Sequence, residues 1–249
     1  SAAIVPALVS IAIGEALCCS HEDVPHEGIK FWTPGDREEG PLWAVEAEWL
    51  VSWFSPDHLS ALLPTGYYCP SPTGEYTDHS PGGDFDFFSR LVSSWEAAAL
   101  VPGSPARGVV VRSGVVLGRG GGAISQMLWP FCLGLGGPMG SGLQPFPWIH
   151  VRDLAGIVCH ALESECLQGV FNGVSPSSAA TSNGTFAQEL GAALGRPALL
   201  LTPVWAVRAV FGAERAVLLL EGQRVVPKRT LESGFIFPDL PAALKDIVA

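Results

Sequence analysis

Lysine is scarce in this 249-residue chain: Lys30, Lys228 and Lys245 are the only three. A phosphate-binding G-x-x-x-x-G-K-[ST] loop needs a Lys directly after Gly, and none of the three follows one. A Tyr-x-x-x-Lys acid–base pair is also absent, because His26, Arg224 and Pro241 stand four residues before the lysines. There is no G-x-S-x-G nucleophile elbow. Cys18, Cys19, Cys69, Cys132, Cys159 and Cys166 form no C-x-x-C pair and have no His at zinc spacing. They read as reduced core residues, which predicts a reducing, intracellular and by default cytoplasmic location and no metal site. Basic residues are outnumbered 14 to 24, and the net charge of −10 repels phosphate backbones and anionic membrane surfaces. Nucleic acid and membrane are therefore not expected partners. The longest apolar stretch, Ala2 to Cys19, is broken by Pro6, Gly14 and Glu15. It is shorter than the roughly 20 residues of a membrane span and has no Lys or Arg before it to make a signal peptide.

What is present is enough for a core: 48% of the residues are hydrophobic and only 15% charged. The charge is uneven. Residues 1–60 hold ten acids against two bases, a net −8, together with Trp32, Trp43, Trp49 and Trp53. The remaining residues carry only −2. This composition break predicts a distinct segment over 1–60, an α/β region over 61–180 and a small helical C-terminal domain over 185–249.

The punctuation supports that division. Leu59 to Leu63 is a short apolar run closed by Pro64-Thr65-Gly66, and 69–86 is rich in turn residues. Leu91, Trp95, Ala98 and Ala99 make one face of a helix over 87–100. Gly108 to Val111 and Gly169 to Val174 read as strands buried on both faces of a parallel sheet. Helices are expected over 123–133 and 151–163, which gives the alternation of an α/β layered fold. Thr185 and Gln188 have capping-box spacing ahead of Phe186, Leu190 and Leu194, and Gly195 closes that helix. Further helices are expected over 203–211, 216–225 and 239–249, with a short strand over 234–237.

Four stretches invite a functional reading. Gly118-Arg119-Gly120-Gly121-Gly122-Ala123 fits G-x-G-x-x-G/A, but no Asp or Glu lies between Ala123 and Arg152 to hold a ribose. It reads as a loop bordering a site. Thr65-Gly66-Tyr67-Tyr68 follows a strand end, where α/β sheets bind ligands. Its hydroxyl and phenol either hydrogen-bond a carbonyl or serve as turn chemistry with a core aromatic. Trp148-Ile149-His150-Val151-Arg152-Asp153 reads as a strand-to-helix junction, where Asp153 caps the helix or complements its dipole, and His150 is either a satisfied half-buried histidine or a substrate-side wall. Asn183-Gly184-Thr185 has the glycosylation acceptor pattern.

Taken in order, several segments resemble the epimerase-type, atypical short-chain dehydrogenase/reductases. They are Thr65 to Tyr68, Asp78 to Phe87, Trp95-Glu96-Ala97-Ala98, Arg112 to Gly118, Leu133 to Pro138 and Trp148 to Ala155. Gln223-Arg224 with Pro227-Lys228-Arg229 is similar to their small C-terminal domain, so the likeness runs over 62–249. The resemblance implies a Rossmann-like, NADP(H)-binding parallel sheet and an oxidoreductase or epimerase acting on a small molecule. It marks Val116, with Val115, for the nicotinamide end of the cofactor, and Thr65 and Tyr68 for catalysis. His150 falls on the substrate side.

Two departures go with it. Residues 1–60 contain no G-G-x-G-x-x-G, so the resemblance implies a partial fold with an incomplete cofactor site, as an alternative or truncated product would have. Where the family's Tyr-x-x-x-Lys would fall stand Arg90 and Ser94. Loss of the first strands would leave the strand at 59–63 with an open edge, covered by residues 1–60 or by a protein partner. The alternative function is a non-catalytic binding or scaffold protein that keeps the substrate half.

Overall fold

The computed structural model describes residues 29–30, 51–55, 58–64, 66–71, 73–100, 107–119, 122–211, 213–233 and 240–248. In chain order its first half runs β1 (Ile29–Lys30), β2 (Val51–Ser55), β3 (His58–Pro64), β4 (Glu75–Tyr76), α1 (Phe87–Ala99), β5 (Arg107–Ser113), β6 (Val115–Gly118) and α2 (Gly122–Cys132). Then follow β7 (Trp148–His150), α3 (Val151–Glu163), β8 (Gly169–Gly173), α4 (Asn183–Leu194), α5 (Val204–Phe211), α6 (Ala213–Leu220), β9 (Arg224–Val225), α7 (Lys228–Glu232) and α8 (Leu240–Val248).

The main sheet has the order β1-β2-β3-β5-β8. β3, β5 and β8 are mutually parallel, whereas β2 runs antiparallel to both β1 and β3. Residues of β5 alternate between two helical layers. Val110 packs with Val92, Trp95 and Ala99 of α1, while Val109 and Val111 pack with Leu154, Ile157, Val158 and Ala161 of α3. A strand covered on both faces needs apolar residues at successive positions, which is why Val109-Val110-Val111 is continuous.

The edge of β3 expected to be open is occupied, and the outward groups of β8 are met as well. β2 pairs along the edge of β3 that the sequence left open. At β8, side chains meet the outward backbone groups. Asp78 accepts from the Asn172 N–H, Thr230 Oγ1 donates to the Asn172 carbonyl at 3.0 Å, and Arg229 Nη1 donates to the Val170 carbonyl at 2.6 Å. The Arg229 guanidinium also lies over the Phe171 ring at 4.1 Å. Polar groups used up in this way cannot template another strand.

A second layer carries the rest. Past Gly114 the chain leaves the main sheet for β6, which pairs in parallel with β7. Leu117, Trp148, Phe146 and Ile124 form a core there with Phe186 and Leu190 of α4 and Leu240, Leu244 and Ile247 of α8. The C-terminal part is also stitched to the middle of the chain, because β9 pairs in parallel with β4.

Some expectations are corrected. The helix expected over 216–225 ends at Leu220, and Arg224–Val225 is a strand whose partner lies far away in sequence. The cap of α4 is Ser182, whose hydroxyl accepts from the Thr185 N–H at 3.1 Å, three residues before the expected position. The cap of α3 is His150, and Asp153 sits in the first turn, where it complements the helix dipole rather than capping. Cys69, Cys132 and Cys166 are exposed rather than core. Asn183 is buried, and its side-chain oxygen accepts from the Met139 N–H at 2.8 Å, which removes it as a glycosylation acceptor. The strand expected over 234–237 lies outside the described residues. Among the described residues no helix is long and apolar enough to cross a membrane.

Candidate functional site

Parallel sheets bind ligands at the C-terminal ends of their strands. Here Pro64, Ser113 and Gly173 are in register at that edge, and two groups of polar or functional residues gather there.

The first group centres on Arg112, the penultimate residue of β5. Its side chain points to the α1 face and is only 3% exposed. A cation there must be paired, since an isolated buried charge is very costly. Glu96 on α1 supplies the pair through two parallel bonds of 2.8 Å, from Arg112 Nε to Oε2 and from Nη2 to Oε1. Arg112 Nη1 donates to the Tyr68 hydroxyl at 2.8 Å, and that hydroxyl donates to Asn172 Oδ1 at 2.7 Å. The guanidinium also lies 3.5 Å from the centre of the Tyr67 ring. Asn172 Nδ2 continues the chain of bonds to the Val226 carbonyl at 3.1 Å, and Gln223 Nε2 donates to the Tyr68 carbonyl. Burial pushes the Tyr68 phenol above its ordinary pKa despite the opposing pull of Arg112. Burial alone would lower the Arg112 pKa, but its bonds to Glu96 and Tyr68 raise it.

The second group lies on β6, β7 and the start of α3. Gly114 joins β5 to β6 where a side chain would not fit: a Cβ there would stand 2.8 Å from the Pro147 carbonyl oxygen. Val115 and Val116 then face opposite ways, Val115 toward the α2, α4 and α8 core and Val116 toward the α3 core. His150 pairs in register with Leu117 and is 5% exposed. Its Nδ1 accepts from the Arg152 N–H at 3.2 Å, so the neutral ring carries its proton on Nε2. Nε2 stands 3.3 Å from Asp246 Oδ2 on α8, at ion-pair distance but without hydrogen-bond geometry. Arg152 and Arg119 also hold Asp246, through its carboxylate and its backbone oxygen. Burial lowers the His150 pKa, with Asp246 opposing and Arg152 assisting.

Asp153, one turn into the site, has its carboxyl pushed up to about 6 by burial, and its Oδ2 has no hydrogen-bond partner among the described residues. The folded pKa lies above the unfolded value of 3.8, so stability falls as pH rises from about 4 to about 6 and stays reduced above that. Asp153→Asn should therefore gain on the native protein as pH rises. The expected advantage is ~1 kcal/mol at pH 7 and near zero at pH 4, allowing for solvent and for the helix N-terminus that favours the anion. Urea melts at the two pH values check this; an advantage independent of pH would assign it to packing.

The structure thus brings Val115, Val116 and His150 together on one small sheet. It places Tyr68 separately, fully buried in the Arg112 network. Thr65 lies outside the described residues. Glu96, Asn172 and Asp78 were missed in the sequence, although one signal was available: Arg112 is a charge directly after three valines in a strand, which demands a buried partner.

Residues 202–247 match a family described as a domain of unknown function, DUF1731. The chain is 65% identical over 192 residues to the epimerase family protein SDR39U1 of Bos taurus, covering 76% of this chain and 65% of that protein. It is 30% identical over 228 residues to an epimerase family protein of Staphylococcus aureus, covering 88% and 75%. The human SDR39U1 structure, isoform 2 with NADPH, superposes with a TM-score of 0.73 at 60% identity, covering 76% of this chain and 64% of that one. The chain thus spans about two thirds of the length of the mammalian relatives. The shared architecture is the Rossmann-like fold of NAD(P)-binding epimerases.

Proposed function

The chain belongs to the epimerase family of short-chain dehydrogenase/reductases, and on that premise we propose that it carries the nicotinamide- and substrate-binding half of an NADP(H)-linked oxidoreductase or epimerase. One observation carries the reading: β5 continues through Gly114 into β6 at the C-terminal edge of the parallel sheet, beside β7 and His150. The side chains of Val115 and Val116 belong to two cores, so it is the β6 backbone that this reading assigns to the nicotinamide end. His150, held by Arg152 and Asp246, stands on the substrate side. Thr65, directly after β3, is the hydroxyl assigned to the reacting oxygen. Tyr68, with its phenol committed to Arg112 and Asn172, holds that strand end in place as a positioning residue.

The fit to the whole cofactor is incomplete. The residues ahead of β3 contain no glycine-rich phosphate motif, and the strand beside β3 is antiparallel.

The test is amide chemical-shift mapping with reduced nicotinamide mononucleotide. Shifts are expected at Val115 to Leu117 and at His150. Silence there, with or without shifts elsewhere, would end this reading.

A further inference from the structure

We propose that two copies of this chain pair through an uncharged apolar face, built from the end of α2 with the segment that follows it and from residues 197–205, to make a two-fold symmetric dimer. The pairing stands whether or not the nicotinamide reading above holds.

Two stretches of chain make this face. Residues 122–149 and 197–207 contain no Asp, Glu, Lys or Arg. They run side by side. The Leu200 N–H donates to the Gly136 carbonyl at 3.2 Å, the Thr202 N–H to the Pro138 carbonyl at 2.9 Å and the Gly140 N–H to the Thr202 carbonyl at 2.9 Å. The approach is so close that a Cβ at Gly137 would stand 2.1 Å from the Leu200 carbonyl oxygen. Two buried side chains hold the first stretch from behind: Asn183 Oδ1 accepts from the Met139 N–H, and Gln144 Nε2 donates to the Met139 carbonyl at 2.9 Å. On this fixed backbone Trp129, Leu133 and Leu135 of one stretch and Leu199, Leu201 and Trp205 of the other are each more than half exposed. A face held in place before contact loses little conformational freedom on binding.

Its size is that of an interface. The six side chains together expose on the order of 800 Å² of mostly apolar surface. The largest apolar patch on a monomeric protein is roughly 300–600 Å², whereas a standard interface takes about 800 Å² from each partner.

Exposure decides what kind of partner fits. Leu199 is 84% exposed, Trp129 75% and Trp205 74%, so these side chains project from the surface, whereas residues lining a small-molecule pocket are drawn inward. Projecting side chains are covered by another protein surface. Charge then selects a second copy. Each chain carries −10, so copies repel wherever acidic surface meets acidic surface. A two-fold contact sets a face against itself, and a face without charged residues meets its own copy without like-charge repulsion. Arg196 and Arg208, both exposed, bracket the second stretch, as the polar rim of an interface does.

Sedimentation velocity on the full chain tests the pairing. Interfaces of standard size have micromolar to picomolar affinities, so at roughly 100 µM a dimer of twice the 26.2 kDa chain mass should dominate. The double variant Leu199→Asp with Trp205→Asp, and separately Leu133→Asp, set acid against acid across the axis and should sediment as monomers. Their far-UV circular dichroism should match that of the native chain, because the replaced side chains are exposed. A native chain that stays monomeric at that concentration would overturn the proposal, whether another segment of the chain covers the face or, as flotation with phosphatidylcholine vesicles would reveal, a lipid surface does. Dimers that persist in the folded variants would overturn it too, by placing the contact elsewhere. Hydrogen exchange on the native chain gives a readout that needs no variant. Peptides spanning 129–135 and 199–205 should gain protection between dilute and concentrated solution, and protection unchanged there would overturn the assignment of the face.

Discussion

Arg112→Ala is expected to destabilise the protein by ~3–5 kcal/mol, the range for removing one partner of a buried ion pair. The guanidinium fills three roles at once: it makes two parallel bonds to Glu96, donates to the Tyr68 hydroxyl and packs against the Tyr67 ring. Removing it leaves Glu96, 13% exposed, without its cation in a low-dielectric pocket, and leaves the Tyr68 hydroxyl short of a donor. Arg112→Lys should recover only part of the loss, because an ammonium cannot give two parallel bonds to a carboxylate and a third to a phenol. Urea denaturation of both variants, with Glu96→Gln and the double variant completing a cycle, measures the coupling. A loss under about 1 kcal/mol for Arg112→Ala would mean that water screens the pair as at an exposed surface.

That network also shows where sequence reasoning stops. β3, α1, β5, α3 and β8 are legible because each announces itself locally. The apolar run at 59–63 becomes His58–Pro64, the face of Trp95 and Ala99 becomes α1, and the valine run becomes β5. Of the strands after β3, those missed or misread, β4, β6 and β9, have two to four residues each, too few to show a period. Their state is set by partners, and for β9 the partner lies in the turn-rich stretch after Tyr68. The site was half legible for the same reason. Val115, Val116 and His150 lie in recognisable segments. By contrast, the bond from Tyr68 to Asn172 spans 104 residues and the one from Asp78 to Asn172 spans 94. Such contacts leave no local pattern except the demand of one buried charge for a partner.

Gly222→Ala is the second substitution with a large expected cost, ~3 kcal/mol or more, at or beyond the upper end of what overpacking usually costs. Gly222 lies between α6 and β9 against the backbone of Pro145. A Cβ there would stand 1.8 Å from the Pro145 carbonyl oxygen, 2.7 Å from its carbon and 2.9 Å from its nitrogen. All three atoms are main chain, so no side-chain rotation relieves the clash. The Pro145 segment is also fixed from both sides: Pro145 bridges Ser182, Phe146 N–H donates to the Thr181 carbonyl, and Gln144 Nε2 donates to the Leu219 carbonyl. α6 and β9 must therefore move, and Gln223, the next residue, holds the Tyr68 carbonyl. The strain should propagate into the Arg112 network. Gly195→Ala is the control, because Gly195 has φ of +64° but nothing within 4 Å of a built Cβ. It should cost only the left-handed backbone penalty of about 1 kcal/mol. Thermal melts should separate the two, with a drop of roughly 6–12 °C for Gly222→Ala and about 2–4 °C for Gly195→Ala. Equal small drops would mean that the junction of α6 and β9 yields to an added methyl, and that the C-terminal segment is not locked to the sheet edge through Pro145.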